Sequence, residues 1–307
     1  MADSWLQDAW SELGKQPDWI VDVVVPVVIL HVMYYGLGFF FLALDNTRWR
    51  VWDDRKCQRR AKPIPWPHVR KIVAVVGSQL LTVYPVALAL LAPFSRARLS
   101  YSAELPDLTT VLWSFACFAL CSEAYFFHVH WLLHHPRLYP HIHKFHHEYT
   151  APIALECLYF HPVSEEAAKC NRLRGAPRLP PPFHAISTPV PFLPFPFLPS
   201  APPLPSFVLP RLSLQVESVL QLGVIASGPL LIGSHVTLMW AFEVLALYMV
   251  SLHHCGHEVP MDDTPGLGSM TQQHDYHHKV IYFSFLAPSL QHDHHQGLLL
   301  CPSPCNL

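Results

Sequence analysis

The sequence predicts an all-α integral membrane protein of about four transmembrane helices or helical hairpins, carrying a cytosolic histidine-rich helical cap. Three observations lead there. The chain is 51% hydrophobic and only 14% charged, where soluble domains carry about 25% charged residues. It contains apolar stretches long enough to cross a bilayer, which takes about 20 residues. Its histidines crowd beside those stretches: nine of 22 fall between residues 128 and 161, and six more between 253 and 278. A net charge of -2 offers no basic excess for nucleic acid, so no nucleic-acid partner is expected.

Residues 1–18 form an N-terminal tail, acidic and amphipathic, without the basic region and cleavage site of a secretory signal. Residues 19–107 hold the first two spans, at 19–44 (WIVDVVVPVVILHVMYYGLGFFFLAL) and 72–93 (IVAVVGSQLLTVYPVALALLAP). Between them lie Arg48, Arg50, Arg55, Lys56, Arg59, Arg60, Lys62, Arg70 and Lys71, whereas the tail has only Lys15. The positive-inside rule puts that loop in the cytosol. The third span, 108–127, then returns the chain to the cytosolic side. Glu123 near its end reads either as a functional intramembrane carboxylate or as a residue already at the interface.

The apolar region from Val219 to Leu252 would be about 51 Å long as one helix at about 1.5 Å per residue, too long for one crossing. A hairpin broken near Gly228-Pro229 or Gly233-Ser234-His235 is expected. Only an even number of crossings lets the early and late histidines meet.

The eight cysteines include no CxxC pair, which argues against a zinc ribbon or a thioredoxin-like site. The histidines carry the chemistry. His130 and His134 are four apart at the end of the third span, and HKFHH (His143, His146, His147) and HDYHH (His274, His277, His278) each gather three imidazoles at i, i+3 and i+4. On a helix each set is expected to share one face. Eight such histidines exceed the needs of one mononuclear zinc site and suit a two-metal centre. Imidazole alone does not choose among iron, zinc, copper and nickel.

Taken in order, HxxxH, HxxHHEYTAP, HP, GSH, HHCGHEVP and HDYHH resemble the fatty acid hydroxylase/sterol desaturase superfamily, and within it the sterol C4-methyl oxidases and fatty acid hydroxylase domain-containing proteins. The resemblance covers roughly residues 110–162 and 217–279. It implies a fatty acid hydroxylase domain over 108–279 and a multi-pass enzyme of the endoplasmic reticulum membrane. It also implies two Fe ions, dioxygen as co-substrate, and electrons from NAD(P)H through cytochrome b5 or a reductase. The implied reaction is hydroxylation or oxidation of a sterol or fatty-acyl lipid taken from the lipid bilayer. The implied ligands are His130, His134, His143, His146, His147, His254, His274, His277 and His278, with His161, His253, His257 and Glu258 as further candidates. His128, His135 and His141 lie off the main faces and are expected not to ligate. Zinc is the alternative metal, and a membrane zinc-binding or hydrolase protein the alternative class, for which Glu148 or Glu258 would have to serve as catalytic carboxylate.

Residues 163–215 interrupt this domain. Thirteen of the 31 prolines lie between 177 and 210, which excludes an ordinary spanning helix. Removing Val163 to Gln215 joins LYFHP to VESVLQLGVIASGPLLIGSH and restores an HPxE motif. Val-Ser at 163–164 and Gln215 are encodable as splice donor and acceptor, so a retained in-frame intron is expected, and with it an impaired or inactive product of incomplete splicing. Residues 280–307 form an anomalous C-terminal tail, whose His292, His294 and His295 lack the HxxHH spacing.

Overall fold

In the computed structural model the described residues are 2–47, 49–58, 64–160, 208–259, 263–264 and 268–280. The expected insertion 163–215, save the helical backbone of its last residues, the candidate ligand His161 and almost all of the 280–307 tail lie outside them. Among the described residues the elements are α1 (Ala2–Leu13), a π-helical turn (Ile20–Val24) leading into α2 (Val25–Asn46), α3 (Arg50–Asp53), α4 (Trp66–Arg98), α5 (Leu108–Leu133), two short 3-10 turns (His143–Glu148 and Ala154–Glu156), α6 (Val208–Ile232), α7 (Val236–His253) and α8 (Met270–Val280). Two-residue strands β1 (Asp263–Thr264) and β2 (Gly268–Ser269) pair antiparallel just before α8.

Four helical stretches are long and apolar enough to cross a membrane: Ile20–Asn46, Trp66–Arg98, Leu108–Leu133 and Val236–His253. Leu81, Leu90 and Leu120 are 72%, 77% and 74% exposed. Such an outward apolar surface suits lipid rather than water. The spans run longer than the apolar text suggested. The helix over 72–93 extends to Trp66 and Arg98 and carries Pro85 and Pro93 inside it, because a proline in a membrane helix is tolerated where neighbours re-satisfy the backbone. The third span continues to Leu133, so the end of the helix itself bears His130.

Local chemistry sets the ends. Asp107 caps α5 by accepting the Thr110 N–H at 2.7 Å, and α4 opens with proline in its first turn. The hairpin turns at Gly233 (φ 68°) rather than at Gly228-Pro229, and Pro229 stays inside α6. Arg98 donates to the Leu230 and Leu231 carbonyls, satisfying acceptors that the end of α6 leaves open.

The helices therefore alternate in direction. At one end of the bundle Asp22 accepts from Arg96 at 2.7 Å and from Tyr101 at 2.9 Å. There the N-terminal tail forms α1, whose buried Trp10 packs edge-on against Trp240 and His235. At the other end Lys71 pairs with Glu148 at 2.8 Å, and the Cys57 N–H donates to the Gly256 carbonyl. That end gathers the basic loop, the 3-10 turns and the ends of α5 and α7. The core between them is built on Tyr34, Ile72, Leu80, Tyr84, Leu155 and Tyr159, with the Tyr34 hydroxyl donating to the Leu155 carbonyl at 2.8 Å.

Candidate metal centre

Nine histidines converge at the basic-loop end in two groups. His130, His134, His143, His147 and His277 form one, and His146, His254, His274 and His278 the other; within each group one ligand atom per residue lies within 4.8 Å of all the rest. These are the nine positions that the resemblance marked as principal ligands. The groups adjoin, with the His147 and His278 rings 4.5 Å apart.

The partition corrects the expectation that each HxxHH set shares one face. His143 and His147 enter the five-histidine group while His146 enters the other; His274 and His278 enter the four-histidine group while His277 crosses to the first. On the α-helix α8 the reason is angular. At about 100° per residue, i and i+4 lie about 40° apart, and i+3 lies about 60° away on the opposite side of i. His143–Glu148 is a 3-10 turn instead, and His147 leaves helical geometry there (φ -85°, ψ 20°), swinging its ring to His143. Each motif thus spans both groups, two imidazoles to one and one to the other.

The nitrogens that converge are Nε2. In the first group the Nε2 pairs are His130–His143 at 3.1 Å, His134–His130 at 3.2 Å, His134–His277 at 3.1 Å and His147–His143 at 3.1 Å. In the second they are His254–His146 at 3.3 Å, His274–His254 at 3.0 Å and His278–His274 at 3.2 Å. Two ligands at about 2.1 Å from a shared ion, meeting at angles between a right angle and tetrahedral, stand about 3.0 to 3.4 Å apart. The observed spacings fit that range, so the donor set accommodates one cation per group.

Tautomer control supports the same fit. The His143 Nδ1 bonds Glu217 Oε1 at 2.5 Å, with both side chains 2% exposed, and the His254 Nδ1 bonds the Val250 carbonyl at 2.7 Å. A proton held at Nδ1 leaves the Nε2 lone pair aimed inward. Burial, then His277, holds His134 down to about 3, and burial above all holds His254 at about 3. His146, His147, His274 and His278 also sit well below the ordinary imidazole value, through burial first and neighbouring imidazoles second. Neutral imidazole is the form that binds metal.

The remaining candidates are placed elsewhere. His253 lines the cavity beside the groups, its ring 6.4 Å from that of His274. His257 stacks on Trp52 at 4.2 Å, with its Nε2 3.3 Å from Asp45, and the Glu258 N–H donates to the Arg55 carbonyl. Neither belongs to a group. Glu148, one of the two carboxylates a hydrolase could use, is engaged on both oxygens, by Lys71 and by the Tyr159 hydroxyl, each at 2.8 Å. His128 bonds the Ala124 carbonyl, and His135 and His141 stay outside both groups. Glu217, the carboxylate of the restored HPxE text, is a further site residue that the histidine motifs do not point to.

Above the histidines, between the spans, lies a cavity of about 430 Å³ lined largely by apolar side chains of α5, α6 and α7. Ala119, Ser122, Glu123, Phe126 and His130 line it from α5, one stripe of a helix whose last member reaches the first histidine group.

No family model matches the chain, and no solved structure matches it. Among curated proteins it is 26% identical over 280 residues to fatty acid hydroxylase domain-containing protein 2 of Homo sapiens, covering 89% of this chain and 66% of that one. It is 27% identical over 164 residues to fatty acid hydroxylase ahd1 of Mycosarcoma maydis, covering 52% of this chain and 43% of that protein. It is 22% identical over 286 residues to a very-long-chain aldehyde decarbonylase of Oryza sativa, covering 92% and 86%. The chain thus spans 66% of the length of the human relative. With these relatives and with its ordered histidine motifs, the chain is homologous to proteins of the fatty acid hydroxylase/sterol desaturase superfamily.

Proposed function

We propose that this protein is a membrane oxidoreductase that uses dioxygen and two histidine-held iron ions to oxidise a C–H bond of a sterol or other lipid. The observation that carries the reading is the stacking of two convergent Nε2 groups beneath an apolar cavity enclosed by spanning helices. His130, His134, His143, His147 and His277 would hold one ion, and His146, His254, His274 and His278 the other. Once bound, the ions would supply dioxygen activation. The chain's own residues do the rest. Glu217 fixes the proton of His143 at Nδ1, and the Val250 carbonyl does so for His254. The apolar lining of α5 and α7 excludes water and orients the lipid. Leu245, 41% exposed, also lines the cavity, which gives a lipid lateral access from the bilayer.

The basic loop and the histidine groups share one end of the bundle, which on the positive-inside rule is cytosolic in an endoplasmic reticulum membrane. An electron donor of the cytochrome b5 or reductase type would dock there. In this reading residues 163–215 are an interruption retained by incomplete splicing and not part of the working enzyme.

Metal analysis of purified protein, with oxygen consumption in the presence of sterols and fatty-acyl lipids, is the direct test. About two irons per chain and an oxygen-dependent lipid product are expected. Stoichiometric zinc without such a product would replace this reading with a zinc-binding one. Complementation of a yeast lacking sterol C4-methyl oxidase, with the full chain and with the chain lacking 163–215, tests the substrate class and the interruption together.

A further inference from the structure

The cavity is not uniformly apolar. Glu243, in the middle of α7, lines it while only 6% exposed, and among the described residues its carboxyl has no hydrogen-bond or ion-pair partner. A buried carboxyl without a partner is costly inside a protein, and more so within a membrane span. Such groups persist where they serve a ligand or a polar pathway.

Its height in the cavity is fixed by the helix. His254, in the second histidine group, directly follows α7, and Glu243 precedes it by eleven residues. Eleven residues make about three turns, or roughly 16 Å along the axis. Between the two levels the lining from α7 is Leu245, Ala246, Leu247, Met249 and Val250, all apolar, with His253 at the histidine end. From α5, Phe126 separates His130 from Glu123. The arrangement is a reactive floor and a mostly apolar shaft, whose wall also carries Tyr84, Gln221, the more exposed Glu123 and Ser122, the last bonded to the Val224 carbonyl, with Glu243 as the buried carboxyl near its far end.

We propose that Glu243 is the binding group for a hydrogen-bond donor, a hydroxyl or an amine, on a lipid whose oxidised carbon lies about three helical turns away at the histidine groups. The proposal rests on the oxidoreductase reading for the word oxidised, but its binding statement is independent of turnover. It makes the substrate class an amphipathic lipid with its donor remote from the reacting carbon, which sets C4-methyl sterols, whose hydroxyl adjoins the reacting carbon, outside that class, and it makes Glu243 a specificity determinant. A donor seated there satisfies the carboxyl, whereas a hydrocarbon chain leaves it buried and unpaired. Discrimination of that kind, by a site built to hydrogen-bond, is large compared with discrimination by methylene count.

Binding of radiolabelled 1-dodecanol, dodecylamine and dodecane to the full chain in nanodiscs tests this, with the wild type compared with Glu243→Gln and Glu243→Leu. The expected result is that the alcohol, the amine or both bind the wild type about tenfold more tightly than the alkane, and that Glu243→Leu abolishes the preference without weakening the alkane. A preference for the amine that Glu243→Gln removes identifies a cationic donor. A preference for the alcohol that Glu243→Gln retains identifies a hydroxyl. Equal binding of all three probes by the wild type, or a preference that survives Glu243→Leu, overturns the proposal. Should Glu243→Leu fail to fold, Glu243→Met takes its place, with the same loss of preference expected and a surviving preference overturning the proposal. Because no metal or oxygen is needed, a protein that shows the preference but no oxidation refutes the oxidoreductase reading alone, and one that oxidises lipid without the preference refutes this proposal alone.

Discussion

Glu217 Oε1 lies 2.5 Å from His143 Nδ1, and the two side chains are buried together at the junction of α6 with the histidine turn. This contact ties the chain beyond the proline-rich interruption to the chain before it. A carboxylate behind a metal-binding imidazole fixes its tautomer and raises its basicity, and loss of such a partner costs about 10- to 100-fold in metal affinity. Glu217→Ala is therefore expected to weaken metal binding in the five-histidine group by about that factor. Glu217→Gln, whose amide oxygen can still accept the Nδ1 proton, should lose less. Metal titration of both variants checks the order; equal affinity in Glu217→Ala and wild type would show the contact to be incidental.

The two groups differ in size, and their response to substitution should differ with it. His274→Ala leaves three imidazoles in its group, whereas His277→Ala leaves four in the other. His274→Ala is expected to fall to about one metal per chain, and His277→Ala to retain close to two with faster exchange. Elemental analysis after dialysis against a chelator reads both. Identical losses in the two variants would mean that the groups do not bind independently.

His257 tests the placement of a tenth candidate. Its ring lies flat on Trp52, with Asp45 at 3.3 Å and the Cys255 carbonyl at 2.9 Å. These contacts join the end of α2 to the loop after α7. His257→Ala should keep the full metal complement and lower the thermal midpoint in detergent, the consequence of about 1 to 3 kcal/mol of lost packing and hydrogen bonding. Loss of a metal ion with an unchanged midpoint would restore His257 to the ligand set.

The contrast between His257 and the nine convergent histidines marks where sequence stopped being informative. The spans were legible because hydrophobic length is a property of the text, and the ligand candidates because histidine at i, i+3 and i+4 is rare. The division of HxxHH between two groups was not legible. It depends on whether each segment is α-helical or 3-10, and the His147 backbone decides that only in context. His257 carried the same residue type and a similar spacing to His253, but it sits one turn too far along and packs outward against Trp52. Glu217 stands in the HPxE text that removal of 163–215 restores, but its role does not: that its carboxylate sits behind the His143 imidazole is a matter of packing between α6 and the histidine turn. The hairpin position was ambiguous between two glycine-containing sites, and only Gly233 takes a positive φ.

Close helix approach in the membrane layer makes a further prediction. A Cβ on Gly228 would stand 2.6 Å from the Phe118 Cα and 3.0 Å from its Cδ1, so α5 and α6 meet backbone to backbone there. Small residues permit such approaches between spanning helices. Gly228→Ala must push the helices apart, at a cost of about 1 to 3 kcal/mol. Since α5 carries His130 and α6 carries Glu217, the variant should also weaken metal binding. A thermal midpoint and metal titration of Gly228→Ala measure both effects, and wild-type values for each would mean that the helices separate without consequence.

Removal of residues 163–215 is the most demanding test. On the upstream side the Phe160 carbonyl accepts from Gln79, and the Phe160 ring lies 5.4 Å from that of His146. On the downstream side Glu217 holds His143, and Ser218 neighbours Tyr84, a residue of the same core cluster as Leu158 and Phe160. Both flanks thus return to α4 and to the same histidine turn. Shortening a connection changes loop-closure entropy only slowly with length, provided its ends can still meet. The chain joining Pro162 to Val216 is therefore expected to bind metal at least as tightly as the full chain and to unfold at the same or a higher temperature. Sequencing transcripts across the codons for Pro162 and Glu217 gives the genetic counterpart, with a spliced form expected. A shortened protein that loses its metal, together with transcripts that all carry the segment, would make residues 163–215 a working part of the protein.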